Sequence, residues 1–190
     1  MGKLIISTHI TVDGVIGPDP GPWAILEGSG ERLKFDQLMA ADGFVLGRKV
    51  YEGLAAYWPT ATDTTGFAAR TNELPKYVAS RTLQEPLTWN ASLIDGDLTE
   101  AVTALKERHR GNLISFGAGE LAFELVRRGL VDEIHFWVDP AIWGDGERAF
   151  HGQQVRMELV SATTFDSGVA LLIYRPADES PTEGQSNHRR

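Results

Sequence analysis

Hydrophobic and polar residues follow two periods along the chain, one typical of strands and the other typical of helices. Short apolar or β-branched runs predict eight strands, at residues 3–12, 43–47, 76–80, 91–95, 112–116, 131–139, 158–165 and 169–174. Apolar residues at helical spacing predict four helices, at residues 31–41, 48–58, 97–108 and 119–129. Strands and helices alternate until a final strand pair, so the pattern predicts a mostly parallel α/β sandwich with an antiparallel edge.

Three segments fall outside this alternation. Residues 17–30 are rich in glycine and proline but contain Trp23, which is more typical of a lid or binding loop than of a linker. Residues 59–75 are polar and are predicted to be irregular. Residues 177–190 are polar and are predicted to form a disordered tail after a single domain at residues 1–176.

Composition narrows the class of protein. The chain has 190 residues, a formal net charge of −8 and no cysteine. This charge argues against general binding to nucleic acid or to an acidic membrane surface. The missing cysteines exclude disulfides and thiolate chemistry. No apolar run approaches the ~18 residues of a membrane span, and the apolar run near the start is too short for a signal peptide. We therefore expect a cytoplasmic protein.

Three predicted strands end in residues suited to binding phosphate. Gly47 is followed by Arg48 and Lys49, Ser80-Arg81 follows the next strand, and residues 117–119 read Gly-Ala-Gly. Glycine lets a ligand approach the backbone, and the first amides of a helix attract anions. Ligands of open α/β sheets lie beyond the carboxyl ends of the strands. One dinucleotide could therefore bridge all three strand ends.

Each of these features also has a plain structural interpretation. A glycine between a strand and a helix is often only a tight turn, and an arginine is often only a solvated surface charge. The Gly-Ala-Gly sequence is not a complete dinucleotide-binding fingerprint. Composition and spacing alone leave the two interpretations nearly balanced.

Several motifs resemble those of a known superfamily. In chain order they are VDGVIG (12–17), LGRKVYE (46–52), SRTL (80–83), FGAGEL (116–121) and GLVDEIHFWVDPAIWGDGERAF (129–150). Together they resemble the dihydrofolate reductase superfamily, and most closely the reductase domain of the riboflavin-pathway deaminase–reductase. The resemblance covers roughly residues 3–175. It implies a three-layer α/β/α sandwich around a mostly parallel sheet of about eight strands, with a C-terminal antiparallel hairpin.

The resemblance also implies NADPH as the hydride donor and assigns residues to it. The cofactor-binding set that it implies is His9, Ile16, Gly17, Gly47, Arg48, Lys49, Ser80, Arg81, Gly117, Ala118, Gly119 and Glu120. In this assignment the two glycine-rich turns hold the pyrophosphate, and the serine-arginine pair holds the adenosine ribose with its 2′-phosphate. The backbone of the first strand meets the nicotinamide, over which Trp23 lies on the mobile loop.

Three positions depart from the superfamily pattern. Val50 stands where a threonine is common, so a hydroxyl contact is missing. Ala118 replaces the second glycine of a pair and is expected to crowd the phosphate turn. Glu27 is near the place of the carboxylate that binds the pterin in dihydrofolate reductases, but its surroundings do not predict a helix. The surroundings of Glu27 weigh against pterin reduction, although Trp23 and Glu27 stay as substrate-binding candidates.

The proton donor is the least determined part of the prediction. Reduction of a C=N or C=O bond by hydride leaves an atom that must be protonated. Asp13 is the leading candidate because it ends the first strand, yet Asp-Gly is also a favoured turn pair. His135 and His151 have no partner at metal-ligand spacing, so both are expected to be structural, and no metal site is predicted. Trp137 is expected to pack in the core.

The sequence therefore supports competing functions. The first is an NADPH-dependent reductase of a small heterocyclic substrate, resembling 5-amino-6-(5-phosphoribosylamino)uracil reductase. Dihydrofolate reduction is an alternative within the same class. A non-catalytic module that binds NADPH or another ligand is an alternative from a different class. A homodimer is also predicted, with residues 134–138 as a candidate interface strand.

Overall fold

The computed structural model describes residues 1–17, 21–28, 30–150 and 154–177. The strands are β1 (Leu4–Thr11), β2 (Ala41–Gly47), β3 (Lys76–Ala79), β4 (Ala91–Leu93), β5 (Asn112–Phe116), β6 (Glu133–Asp139), β7 (Met157–Thr164) and β8 (Ala170–Pro176). The helices are α1 (Glu31–Met39), α2 (Arg48–Tyr57), α3 (Phe67–Glu73), α4 (Leu98–Arg108) and α5 (Glu120–Arg127), with a 3₁₀ turn at Trp58–Thr60.

The eight strands form one sheet in the order β4-β3-β2-β5-β1-β6-β8-β7. Strand β8 runs antiparallel to its neighbours β6 and β7, and the other neighbouring pairs are parallel. This arrangement confirms the predicted fold, including the C-terminal antiparallel hairpin. The carboxyl ends of seven strands consequently lie along one edge of the sheet.

Two layers of helices cover the sheet. The core beneath α4 and α5 includes Leu4, Val45, Leu113 and Ile134 from alternate positions of the central strands. The core on the opposite face includes Phe44, Leu46 and Ile114 and packs against α1, α2 and α3. Because side chains alternate across a strand, neighbouring residues of one strand enter different cores.

The predicted elements differ from the structure in two places. Residues 59–75 are not wholly irregular, because α3 forms within them. The Asp63 carboxylate accepts hydrogen bonds from the amides of Thr65, Gly66 and Phe67, which starts this helix. The predicted helix 31–41 ends at Met39, and β2 begins at Ala41, earlier than predicted. The first difference lies where a polar side chain, rather than hydrophobic periodicity, starts the helix.

Two expectations concern residues that are not described. His151 lies outside the described residues, as do positions 178–190 of the predicted tail. The proposed dimer strand lies inside the sheet, where Ile134 and Trp137 are buried by this chain's own residues, so the homodimer stays a prediction. Within the described part of the chain, no helix is both long and apolar enough to cross a membrane.

Candidate active site

The three predicted phosphate-binding turns lie side by side. They follow β3, β2 and β5, which are consecutive strands of the sheet. Arg81, after β3, and Glu120, after β5, come within 3.5 Å of each other across the end of β2. The structure thus brings together turns that are separated by about 70 residues of sequence.

The two glycine-rich turns pack against each other's helices. A methyl group added at Gly47 would lie 3.4 Å from Cβ of Leu121, in the first turn of α5. A methyl group added at Gly117 would lie 3.7 Å from Val50, in the first turn of α2. Gly117 also has a φ of 79°, which strains any other residue. Both added methyl groups would make ordinary van der Waals contacts, so glycine is required by the backbone conformation at Gly117 and not by packing at Gly47.

Helices α2 and α5 both begin without a side-chain cap among the described residues. Their N-cap residues are Gly47 and Gly119, which have extended backbones and no capping side chain. Helix α4 begins at the same edge of the sheet, but its N-cap Asp97 accepts hydrogen bonds from the amides of Thr99 and Glu100. Uncapped first-turn amides carry partial positive charge and can receive an anion.

Basic side chains surround these helix starts. Arg48 donates a hydrogen bond of 2.9 Å to Oγ1 of Thr82 and lies 3.4 Å from Glu52. Lys49 and Arg81 are exposed. Ser80 Oγ accepts hydrogen bonds from the amides of Thr82 and Leu83, which closes the turn after β3. Thr82 was not a sequence candidate; its contact with Arg48 depends on the β2–β3 pairing.

At the carboxyl edge, β1 extends past the end of β5, and we call the space beside residues 8–11 of β1 the gap between β1 and β5. Pairing of β1 with β5 stops at Ser7, whereas its pairing with β6 continues to Thr11. The Ser7 carbonyl accepts a hydrogen bond from the amide of Gly117, so the His9 backbone, two residues on, faces the same gap. The His9 carbonyl also accepts a hydrogen bond of 3.2 Å from Oγ1 of Thr8.

The side chain of His9 forms a buried pair with Asp139. The register of β1 and β6 places His9 beside Trp137 and Thr11 beside Asp139. His9 Nδ1 lies 2.8 Å from Oδ2 of Asp139, a residue with 0% exposure, and the imidazole stacks on the Trp137 ring at 6.0 Å. The other Asp139 oxygen accepts a hydrogen bond of 2.7 Å from the amide of Ile25.

Asp13 has hydrogen-bond donors that hold its carboxylate ionised. The Thr11 hydroxyl donates at 2.6 Å, and the amides of Trp143 and Gly144 donate at 3.1 and 2.8 Å. These bonds, first of all that from Thr11, hold the pKa of Asp13 well below its usual range. A carboxylate that resists protonation is a poor proton donor. The geometry therefore favours the turn-forming interpretation of Asp13.

Two of the sequence motifs pair with each other beside this site. Val15 forms an antiparallel bridge with Arg148, and the Ile16 amide donates to the Glu147 carbonyl. The Phe150 amide donates to the Ala118 carbonyl, which ties the same segment to the turn after β5. The 147–150 segment thus joins the end of β1 to the glycine-rich turn. A cavity of about 240 Å³ lies between it and residues 118–120.

The other candidates have different surroundings. Ile16 is buried, Gly17 is half-buried, and Trp23 is buried against Gly17 and Gly21 of its own loop. Glu27 is exposed in a bend, not in a helix. The Ala118 methyl is expected to crowd a bound phosphate, but this residue is only 1% exposed.

Sequence reasoning overlooked Asp139 and understated His9. Strand alternation places Glu133, His135, Trp137 and Asp139 on one face of β6, which was the available signal. His135 is engaged at both nitrogens, by Gln37 at 3.1 Å and Glu133 at 2.9 Å, and burial lowers its pKa. Across the described residues, no group of acidic or histidine side chains has the geometry of a metal site.

Comparisons with known proteins agree with this architecture. The sequence profile of the RibD C-terminal domain matches residues 2–171. Uncharacterized protein YyaP of Bacillus subtilis (strain 168) is 28% identical over 180 residues, covering 90% of this chain and 94% of YyaP.

Solved structures show the same fold. A Shewanella sp. PV-4 protein assigned to riboflavin biosynthesis has 17% identity and a TM-score of 0.71, covering 92% of this chain and 99% of that one. Dihydrofolate reductase from Enterococcus faecalis, in complex with NADP(H), has 18% identity and a TM-score of 0.59, covering 93% and 98%. The dihydrofolate reductase-like fold expected from the motifs is confirmed.

Proposed function

Because the chain belongs to the RibD C-terminal domain family, we propose that it is an NADPH-dependent reductase of a small heterocyclic substrate. The observation that carries this proposal is the pair of uncapped helix starts at Gly47 and Gly119, on neighbouring strands of the sheet. Two such helix starts suit the two phosphates of a dinucleotide. Bound NADPH would supply the hydride.

The residues at the strand ends fit the separate parts of NADPH. The amides after Gly47 and Gly119 would hold the pyrophosphate, and Arg48 would offset its charge. Arg81 and Ser80 lie one strand further along the edge, where they would hold the ribose 2′-phosphate. In the opposite direction the next strand is β1, so the nicotinamide would enter the gap faced by the His9 backbone. Gly117, whose positive φ suits glycine, forms the turn beside this gap.

The substrate that we propose is 5-amino-6-(5-phosphoribosylamino)uracil or a related heterocycle. Pterin reduction is less well supported, because Glu27 is exposed and lies outside any helix. In α1, Asp36 is exposed and is paired with Arg32. Among the described residues, the buried carboxylate is that of Asp139, in β6. Trp23 and Glu27 remain proposed substrate contacts through the loop that carries them.

Two measurements test the function. First, NADPH is titrated while the fluorescence of the five tryptophans is followed; we expect saturable binding, and no binding at millimolar NADPH would overturn the proposal. Second, NADPH oxidation is measured with 5-amino-6-(5-phosphoribosylamino)uracil and with 7,8-dihydrofolate. Turnover of the first supports the proposed substrate, and turnover of dihydrofolate alone favours pterin reduction. Tight NADPH binding without any turnover would favour a non-catalytic binding module.

A further inference from the structure

We propose that His9 donates the proton that accompanies hydride transfer, and that Asp139 is the residue that positions it. This inference rests on the proposed reductase function. In this proposal His9 takes the place of Asp13 as the proton donor, because Thr11 and two backbone amides hold the Asp13 carboxylate in the ionised form.

Asp139 needs a positively polarised partner. It is completely buried, and an isolated buried carboxylate is strongly disfavoured. One oxygen accepts the Ile25 amide and the other faces Nδ1 of His9, at 2.7 and 2.8 Å. Among the described residues, His9 is the only titratable side chain in direct contact with this carboxylate. The pair therefore holds Nδ1 of His9 toward Asp139.

The His9 ring is also fixed in orientation. It stacks on Trp137 with an interplanar angle of 16°, and Trp137 in turn donates a hydrogen bond of 3.2 Å to Ser7 and stacks on Phe165. The Lys34 ammonium, from α1, lies 4.8 Å from the centre of the Trp137 ring. A ring held in this way cannot turn freely, so its second nitrogen keeps one direction.

The second nitrogen of His9 is open for chemistry. Within the residues that the structure describes, no group makes a hydrogen bond with Nε2. The backbone of His9 borders the gap between β1 and β5 in which the nicotinamide is proposed to lie. By contrast, both nitrogens of His135 are occupied, although it is on the same face of the sheet and is equally buried at 8% exposure. Of these two histidines, His9 is the one that combines a fixed ring with an open nitrogen.

The proposed step is balanced in atoms and electrons. Bound NADPH would supply the hydride, with both electrons, to the carbon of the substrate C=N bond. The Nε2–H proton of His9 would move to the substrate nitrogen, forming an N–H bond and leaving the imidazole neutral. Asp139 would hold the ring through Nδ1 during this transfer, and water would return the proton to Nε2 after product release. A positioned acid of this kind contributes about 10²–10⁴-fold to the rate.

The kinetic test uses His9→Gln with His135→Gln as a matched control. For the compound that the wild type reduces, we expect kcat to fall by about 100-fold or more in His9→Gln, with the Kd of NADPH changed by less than about 3-fold. His135→Gln should stay within about 3-fold of the wild type. A kcat of His9→Gln within about 3-fold of the wild type would overturn the proposal. Asp139→Asn should lower kcat without raising the KM of NADPH. A changed KM with unchanged kcat would show that Asp139 only holds the Ile25 loop in place.

A second readout does not require turnover. In protein labelled with ¹⁵N-histidine, the His9 signals are assigned by their loss in His9→Gln, and NADP⁺ is added. We expect Nδ1 of His9 to be protonated and its Nε2 resonance to shift on binding, while the His135 resonances stay. An unshifted His9 at saturating NADP⁺ would contradict the proposal. If the wild type neither binds the cofactor nor reduces either compound, the reductase function itself fails. If the wild type is active and His9→Gln is equally active, only the proposed role of His9 fails.

Discussion

Helices α4 and α5 start at the same edge of the sheet but differ in whether a side chain caps their first amides. Asp97 caps α4 with its own carboxylate, and Arg128 in turn contacts Asp97 at 3.1 Å. Gly119 starts α5 without a capping side chain from the described residues, as Gly47 does for α2. The backbone of Gly47, with φ −79° and ψ 160°, is close to that of Asp97, with φ −74° and ψ 132°. A capping residue would therefore fit at Gly47.

A capped helix start contributes to the stability of its helix, whereas an uncapped one is available to bind a ligand. A cap such as Asp97 stabilises its helix by satisfying the first amides. An uncapped start forgoes that stabilisation and leaves the same amides available to a ligand. Helices α2 and α5 follow β2 and β5, in the middle of the row of strand ends, whereas α4 starts beside the edge strand β4. For the proposed cofactor, the comparison predicts that α2 and α5, and not α4, receive the pyrophosphate.

The largest expected effect comes from giving α2 the cap that α4 has. Gly47→Asp should raise the Kd of NADPH by about 100-fold, because its carboxylate occupies the first-turn amides and repels the pyrophosphate. The melting temperature should stay the same or rise slightly, since aspartate is at least as good an N-cap as glycine. Fluorescence titration and thermal melting measure the two effects.

Two variants separate the causes in this experiment. Gly47→Ala adds only the methyl group, 3.4 Å from Leu121, and should weaken NADPH binding by less than about 5-fold. Gly47→Asn supplies a neutral cap and should fall between the two. Equal NADPH affinity in Gly47→Asp and the wild type would show that the pyrophosphate does not bind at α2.

A smaller effect is expected at the neighbouring strand end. Arg81→Ala should weaken NADPH binding by about 10- to 100-fold and leave NADH binding nearly unchanged, because a charge-assisted bond to the 2′-phosphate is worth roughly 1.5–3 kcal/mol. Arg110→Ala is a suitable control, since Arg110 is also exposed but precedes β5 at the opposite edge of the sheet. Equal losses for NADPH and NADH would remove Arg81 from the 2′-phosphate site.

The smallest effect on binding is expected from removing the existing cap. Asp97→Ala should lower the melting temperature by a few degrees and leave the Kd of NADPH within about 2-fold of the wild type. A large loss of NADPH affinity in this variant would mean that the α4 start also belongs to the cofactor site, which would break the comparison.

The same residue predicts a dependence of stability on pH. Hydrogen bonds from the amides of Glu100 and Thr99, together with Arg128, lower the pKa of Asp97 below its ordinary value of 3.8. The stabilisation is therefore complete above pH 3.8 and is lost as the pH falls through the lower, folded-state pKa. Urea unfolding of the wild type and Asp97→Ala should give a stability difference that narrows below pH 3.8. A difference that widened on acidification would contradict this cause.

Much of the proposed cofactor site was already indicated by the sequence, because its signals are local. Gly47-Arg48 and Ser80-Arg81 directly follow short apolar strands, and parallel strands bring their carboxyl ends to one edge. Only the order of the strands, which shows that β3, β2 and β5 are neighbours, required the structure.

The proposed proton donor could not be predicted in the same way, because its two residues are distant in sequence. His9 and Asp139 are 130 residues apart and meet only through the register of β1 and β6. Asp13 was the sequence candidate because it lies at a strand end, but its hydrogen-bond donors Trp143 and Gly144 come from a loop that is distant in the sequence. Helix α3 was missed for a related reason, since the Asp63 side chain starts it within a polar segment.

The most direct measurement is a crystal structure of the protein with NADP⁺. We predict that the pyrophosphate lies within hydrogen-bond distance of the first-turn amides of α2 and α5, with the 2′-phosphate beside Arg81 and the nicotinamide in the gap between β1 and β5. A pyrophosphate bound away from both helix starts, or placed at the start of α4, would contradict the assignment of the cofactor to the uncapped helices.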